Sequence, residues 1–189
     1  MDTIKLKLPG SEDFFTIEAY KVLRTNLQFC GQDIKVIAIT SCFSNEGKST
    51  TALQVGKSFA ELGKKVLVID ADMRKSVMAG RNTTVQNPCG LSEVLTGLKP
   101  LQDCIYTVKD SSMRVLFAGQ YPPNPVELLS GKYFSSLIEE SRKVFDYIII
   151  DCPAGIGDML DVAISAADTA VIVTEPQASS LRDADITER

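Results

Sequence analysis

The sequence predicts an α/β fold, a doubly wound and mostly parallel sheet with helices on both faces. Three observations carry that expectation. Short runs rich in valine and isoleucine recur along the chain, and they are continuous rather than alternating, as strands covered on both faces require. Stretches with helical spacing separate the runs, which implies right-handed crossovers between parallel neighbours. Two runs end in aspartate, at Asp70 and Asp151, and another leads into a loop with glycine, lysine and serine. In such sheets a ligand sits beyond the carboxyl ends of the strands.

In chain order, Ser11 to Phe29 reads as a helix, with Ser11 as its cap and Glu12 and Asp13 favouring its positive end. Its expected apolar face is Phe15, Ala19, Val22, Leu23 and Leu27. Val36 to Thr40 reads as the first strand. Lys48 to Leu62 has helical spacing, and Gly63 stands where a helix would stop. Val66 to Ile69, Met113 to Phe117, Tyr147 to Ile150 and Thr169 to Val173 are the remaining strands. No repeat or linker divides the 189 residues, so residues 1–189 are expected to form a single domain.

Composition excludes several chemistries. The chain has no histidine, so no Ser-His-Asp set, no Cys-His pair and no HExxH zinc site can be built. Its net charge is −4, where a chain that grips a nucleic-acid backbone shows a basic surplus, and no nucleic-acid partner is expected. Five cysteines, with no CxxC pair among them, read as reduced thiols of a cytosolic protein. The apolar runs fall far short of the ~18 residues a membrane span needs. The expected location is cytoplasmic, with the inner membrane reached only through a partner.

The segment Thr40 to Thr50 reads TSCFSNEGKST and joins a strand to a helix. Backbone N–H groups at such a junction cradle phosphates. Ser44, Asn45, Glu46, Gly47, Lys48, Ser49 and Thr50 are therefore the expected nucleotide-binding residues, with Lys48 reaching the β/γ oxygens and the Ser49 hydroxyl on Mg²⁺. The first glycine of the usual GxxxxGK pattern is replaced by Cys42, and Asn45 stands where glycine often supplies a positive φ.

The strand ends IDADMR and IIIDCP supply carboxylates beside that loop. Asp70 and Asp151 join Ser49 as the expected metal set, while Lys48, Asp70 and Asp72 form the expected catalytic set. Asp70 can accept a proton from an attacking hydroxyl. Three aspartates beside a triphosphate repel one another unless a cation lies among them, so Mg²⁺ dependence is expected along with ATP.

Four segments together resemble the bacterial tyrosine kinases that regulate capsule and exopolysaccharide production. EAYKVLRTNL, from Glu18 to Leu27, is similar to that family's EAYRxLRTNL helix. The loop is similar to its TSxxPGEGKS. VLVIDADMRKS is similar to its second Walker motif. PPNPVELL, followed after a helix by IIIDCP, is similar to its PPNPxELL and Walker B segments. The resemblance implies a fold related to the MinD and ParA ATPases and transfer of the ATP γ-phosphate to protein tyrosines. It also implies a transmembrane polysaccharide co-polymerase activator, and a homo-oligomer, ring or dimer, contacted through residues 1–30 and in particular Glu18, Lys21 and Arg24. Lys21 replaces the family's arginine, so a bidentate fork becomes a point charge.

Beyond Asp151 the chain is closer to MinD-type ATPases, in PAGI and in TEPQASSLRDAD. A MinD/ParA-like ATPase dimerisation switch for partner localisation is the alternative reading, although Phe43 stands where that family's signature lysine would fall. The sequence stops before the further strand and the tyrosine-rich tail of such relatives, so a truncated end is also expected.

Overall fold

The computed structural model describes residues 2–10, 13–31, 33–155 and 157–175. Its strands are β1 (Thr3–Ile4), β2 (Val36–Ser41), β3 (Val66–Asp70), β4 (Ile105–Val108), β5 (Met113–Leu116), β6 (Tyr147–Asp151) and β7 (Thr169–Val173). Its helices are α1 (Phe14–Phe29), α2 (Lys48–Ala60), α3 (Met78–Asn82), α4 (Leu91–Leu95), α5 (Leu101–Cys104), α6 (Pro125–Ser130), α7 (Lys132–Val144) and α8 (Asp158–Ser165). All five expected strands form, each within a residue of its expected end.

The strands make one sheet in the order β1-β4-β5-β3-β6-β2-β7. The five expected strands run parallel. β1 and β4, which the apolar pattern did not single out, run the other way and close one edge. They are short, and β4 follows α5 directly, so neither shows as a separate run.

Alternate residues of each strand enter two cores. Ile37, Ile39, Val68 and Ile149 meet Leu53 and Phe59 of α2 and Leu27 of α1. Ala38, Leu67, Ile69, Ile148 and Ile150 meet Leu91 of α4, Phe134 and Ile138 of α7 and Leu160 of α8. This is the doubly wound arrangement, and it explains why the strands read as unbroken apolar runs: both faces are covered. Helix α2 lies very close to the sheet at Gly56, where an added Cβ would stand 2.8 Å from a Val68 methyl and 2.9 Å from the Met113 sulfur.

The N-terminus of β2 is held from the far end of the chain. Asp168, just before β7, accepts from the backbone N–H groups of Lys35 and Val36, both at 2.8 Å. It also accepts a bidentate pair from Arg142 of α7 at 2.9 and 2.7 Å. These bonds hold its carboxyl at about 2 despite partial burial.

Helix α1 corrects two expectations. Its cap is Asp13, whose carboxylate accepts from the Thr16 N–H at 2.7 Å, and Ser11 and Glu12 lie outside the described residues. Its packed side is Tyr20, Leu23 and Leu27. Phe15 and Val22, expected on that side, are 81% and 59% exposed, and Ala19 is exposed as well. The helix carries two apolar stripes, and periodicity alone does not say which one meets α2. Arg24 settles the choice by donating to the Ser58 carbonyl and hydroxyl of α2 at 2.9 and 3.2 Å. α2 itself ends at Ala60, two residues short of Leu62, and Gly63 takes the left-handed conformation at φ 75°.

Candidate active site

The strand order brings the expected residues together. β6 lies between β3 and β2, and Asp70 and Asp151 are partners in register at the ends of β3 and β6. The phosphate loop leaves β2 beside them. Asn45 adopts φ 72° and Gly47 φ 92°, so asparagine does supply the left-handed turn expected of it. The loop is braced on several sides. The Ser41 hydroxyl donates to the Phe43 carbonyl at 2.7 Å, and the Gly155 N–H donates to the Ser41 carbonyl at 2.9 Å.

Lys48 opens α2 and is nearly buried. Its Nζ lies 3.0 Å from Asp72 Oδ2 and 3.7 Å from Asp151 Oδ1. Burial works against its charge, but Asp151, then Asp72 and Asp70, outweigh burial and raise its pKa. The cation among the aspartates in this structure is thus the lysine itself. Asp70 is fully buried, and burial and then the Asp151 charge push it up to about 8. Burial likewise raises Asp151 to about 6, against the opposing effects of Lys48 and the Ser49 hydroxyl. Among the described residues neither Asp151 oxygen has a hydrogen-bond partner of good geometry.

Two cavities flank Asp72. One, of about 410 Å³, is lined by Ser44, Asn45, Gly47, Lys48, Ser49 and Thr50, together with Lys75 and Arg81. The other, of about 390 Å³, has Arg74 and Lys75 at one side and Val126, Met159 and Leu160 at the other. Glu46 alone of the expected nucleotide residues lines neither. Its carboxylate accepts from the Phe43 N–H at 2.8 Å and so braces the loop. Sequence reasoning passed over Lys75, Ser76 and Arg81. The first two directly follow DADMR and could have been included. Arg81, whose Nη2 reaches Asn45 Oδ1 at 3.2 Å, gives no signal in the sequence.

The donors suit a hard cation. A buried carboxylate that has an ion-pair contact to Lys48 but no hydrogen-bond partner, next to a hydroxyl, is an oxygen set of the kind Mg²⁺ takes when phosphates complete its shell. Among the described residues no group of three or more acidic or cysteine side chains forms a metal cage. Mg²⁺ held mainly by substrate phosphates needs none.

Glu18, Lys21 and Arg24 lie away from this site. Lys21 pairs with Glu18 at 2.8 Å on the surface, and Arg24 is turned inward onto α2.

A strand, phosphate loop and helix with acidic strand ends define a P-loop nucleotide-binding domain, and the family model described as "AAA domain" matches residues 34–186. Tyrosine-protein kinase CpsD of Streptococcus agalactiae is 44% identical over 162 residues, which cover 85% of this chain and 70% of that protein. The kinase domain of Escherichia coli tyrosine kinase ETK superposes with a TM-score of 0.84 at 29% identity, covering 91% of this chain and 68% of that one. The chain belongs to the family of bacterial tyrosine-protein kinases. Likeness to the MinD branch is weaker: MinD of Pyrococcus horikoshii, solved with Mg-ADP, superposes with a TM-score of 0.66 at 27% identity, over 79% of this chain and 61% of that one. No helix of the described residues is long and apolar enough to cross a membrane.

Proposed function

We propose that this chain is an ATP-dependent protein-tyrosine kinase that acts in control of capsule or exopolysaccharide synthesis. The observation that carries the reading is Lys48 held between Asp72 and Asp151 beside the phosphate loop, in a chain this similar to tyrosine-protein kinases.

In this reading Lys48 exchanges its carboxylate partners for phosphate oxygens when ATP enters the loop cavity. The N–H groups from Ser44 to Thr50 orient the triphosphate. Ser49 and Asp151, with Asp70 near them, are the residues that would hold Mg²⁺, and the ion would supply charge neutralisation on the transferring phosphoryl group. Asp70, at the tip of β3 in register with Asp151, is the carboxylate placed to accept the tyrosine hydroxyl proton once bound Mg²⁺ and phosphates offset the neighbouring aspartates. Asp72 keeps Lys48 aimed between turnovers.

The chain works as a homo-oligomer, ring or dimer, in the cytoplasm against a transmembrane co-polymerase activator. The outer stripe of α1 supports self-association, because Phe15, Val22 and Phe29, each seven residues apart, stand exposed on one line of the helix. Arg24 contributes indirectly by fixing the helix on α2.

Incubation with Mg²⁺, γ-labelled ATP and a tyrosine peptide tests the assignment. Label is expected on tyrosine and is lost in Lys48→Ala. Free phosphate without phosphotyrosine would instead identify a MinD-like hydrolase.

A further inference from the structure

We propose that Ser76 is a positioning residue for phosphoryl transfer, its hydroxyl holding the Asp70 carboxylate in one orientation at the tip of β3. The inference rests on the role given to Asp70 above.

Asp70 has no exposed surface, so its two oxygens depend on protein donors. Oδ1 accepts from the Asp72 N–H at 3.2 Å, a long bond. Oδ2 accepts from the Ser76 hydroxyl through a short one. Ser76 is the one side-chain donor to Asp70 among the described residues. Lys48, whose charge also acts on Asp70, is already engaged with Asp72 and Asp151.

The two donors come from the same short loop, and together they grip both oxygens. Removing the hydroxyl leaves Oδ2 without a donor while the Asp151 charge, its partner in register, still pushes against it. The carboxylate then has no reason to keep its present direction.

Serine in a loop commonly bonds to nearby backbone and shapes a turn. Ser76 does not: its hydroxyl reaches a carboxylate six residues back, and the turn is made by Asp72 Oδ1 accepting from the Lys75 N–H at 3.1 Å. The residue is exposed and lines a groove of about 710 Å³ with Gly80, Gln86, Gly119 and Tyr121. Its flanking residues Lys75 and Val77 line the phosphate-loop cavity. A single hydroxyl therefore connects the outer groove to the buried reacting centre. Position to within a fraction of an ångström is what a proton acceptor needs.

The test compares wild type, Ser76→Ala and Ser76→Thr by steady-state kinetics and by calorimetry of ADP binding with and without Mg²⁺. Ser76→Ala is expected to lower kcat about tenfold, with KM for ATP within about twofold of wild type. Threonine, which keeps the hydroxyl, should restore most of the rate. Metal-free ADP affinity should be unchanged, while the gain on adding Mg²⁺ shrinks about threefold or more. In an Asp70→Asn background Ser76→Ala should cost nothing further.

An alanine variant that matches wild type in both assays overturns the proposal. So does a loss that threonine does not restore and that appears equally in metal-free ADP binding, since that marks a general role in folding. A wild type that binds Mg-ADP but never labels tyrosine would defeat the kinase reading instead, and the calorimetry would still decide on Ser76.

Discussion

Replacing Asp168 with asparagine probes the tie that anchors β2, the strand that delivers the phosphate loop. Asp168 accepts two backbone N–H bonds and a bidentate arginine pair. Lowering its carboxyl from 3.8 to about 2 corresponds to about 2.5 kcal/mol at neutral pH. The two side chains are about a quarter exposed, at 24% for Arg142 and 27% for Asp168, so water screens the pair and about 1.5 kcal/mol is a fairer figure. Because the folded value is depressed, this stability is present above the unfolded value near 3.8 and is lost as pH falls through about 2. Urea unfolding of wild type and Asp168→Asn at neutral pH, and again at pH values down to about 2.5, measures the difference. The gap should be about 1.5 kcal/mol at pH 7 and should close steadily below about pH 4. A gap that stays constant with pH would refute the electrostatic account. A neutral-pH gap below about 0.5 kcal/mol would show that the bonds contribute no more than an ordinary surface pair.

Four further outcomes are expected. Lys48→Ala should abolish tyrosine labelling and also remove the rise in melting temperature that ATP gives wild type, because a ligand stabilises only a state that binds it. Gly56→Val should destabilise the domain by about 1–3 kcal/mol in denaturant titration, since the new side chain meets Val68 and Met113 at under 3 Å. Phe15→Glu with Val22→Glu should shift light scattering towards monomer while leaving the melting temperature within about 2 °C, as both side chains are exposed and Phe15 has an edge contact with the equally exposed Phe14. Any phosphate the described chain places on itself should map by mass spectrometry to Tyr121 or Tyr133, which are 66% and 62% exposed, and not to buried Tyr106 or to Tyr147, which stacks on Phe59 at 3.9 Å.

How far the sequence could be read depended on how local the physics was. The five parallel strands were legible because burial on both faces demands unbroken apolar runs. The phosphate loop was legible because its chemistry is carried by adjacent residues. β1 and β4 were not, because they are short: β1 has two residues and pairs about a hundred positions away with β4, and β4 follows α5 without a break. The expected face of α1 holds for Leu23 and Leu27 but not for Phe15, Ala19 and Val22, because two neighbouring apolar stripes on one helix look alike until Arg24 meets Ser58.

The sequence by itself determined the five parallel strands, their two covered faces, the loop and the family, because each rests on patterns written within short runs of neighbouring residues. Only the tertiary structure decided that Lys48 is the cation between Asp72 and Asp151, that Asp151 is left without a hydrogen-bond partner, that Ser76 grips Asp70 and that Asp168 holds the root of β2. Those are relations between strand ends and loops far apart in the chain. Their strength depends on burial and distance, which exist only once the sheet has placed β6 between β3 and β2.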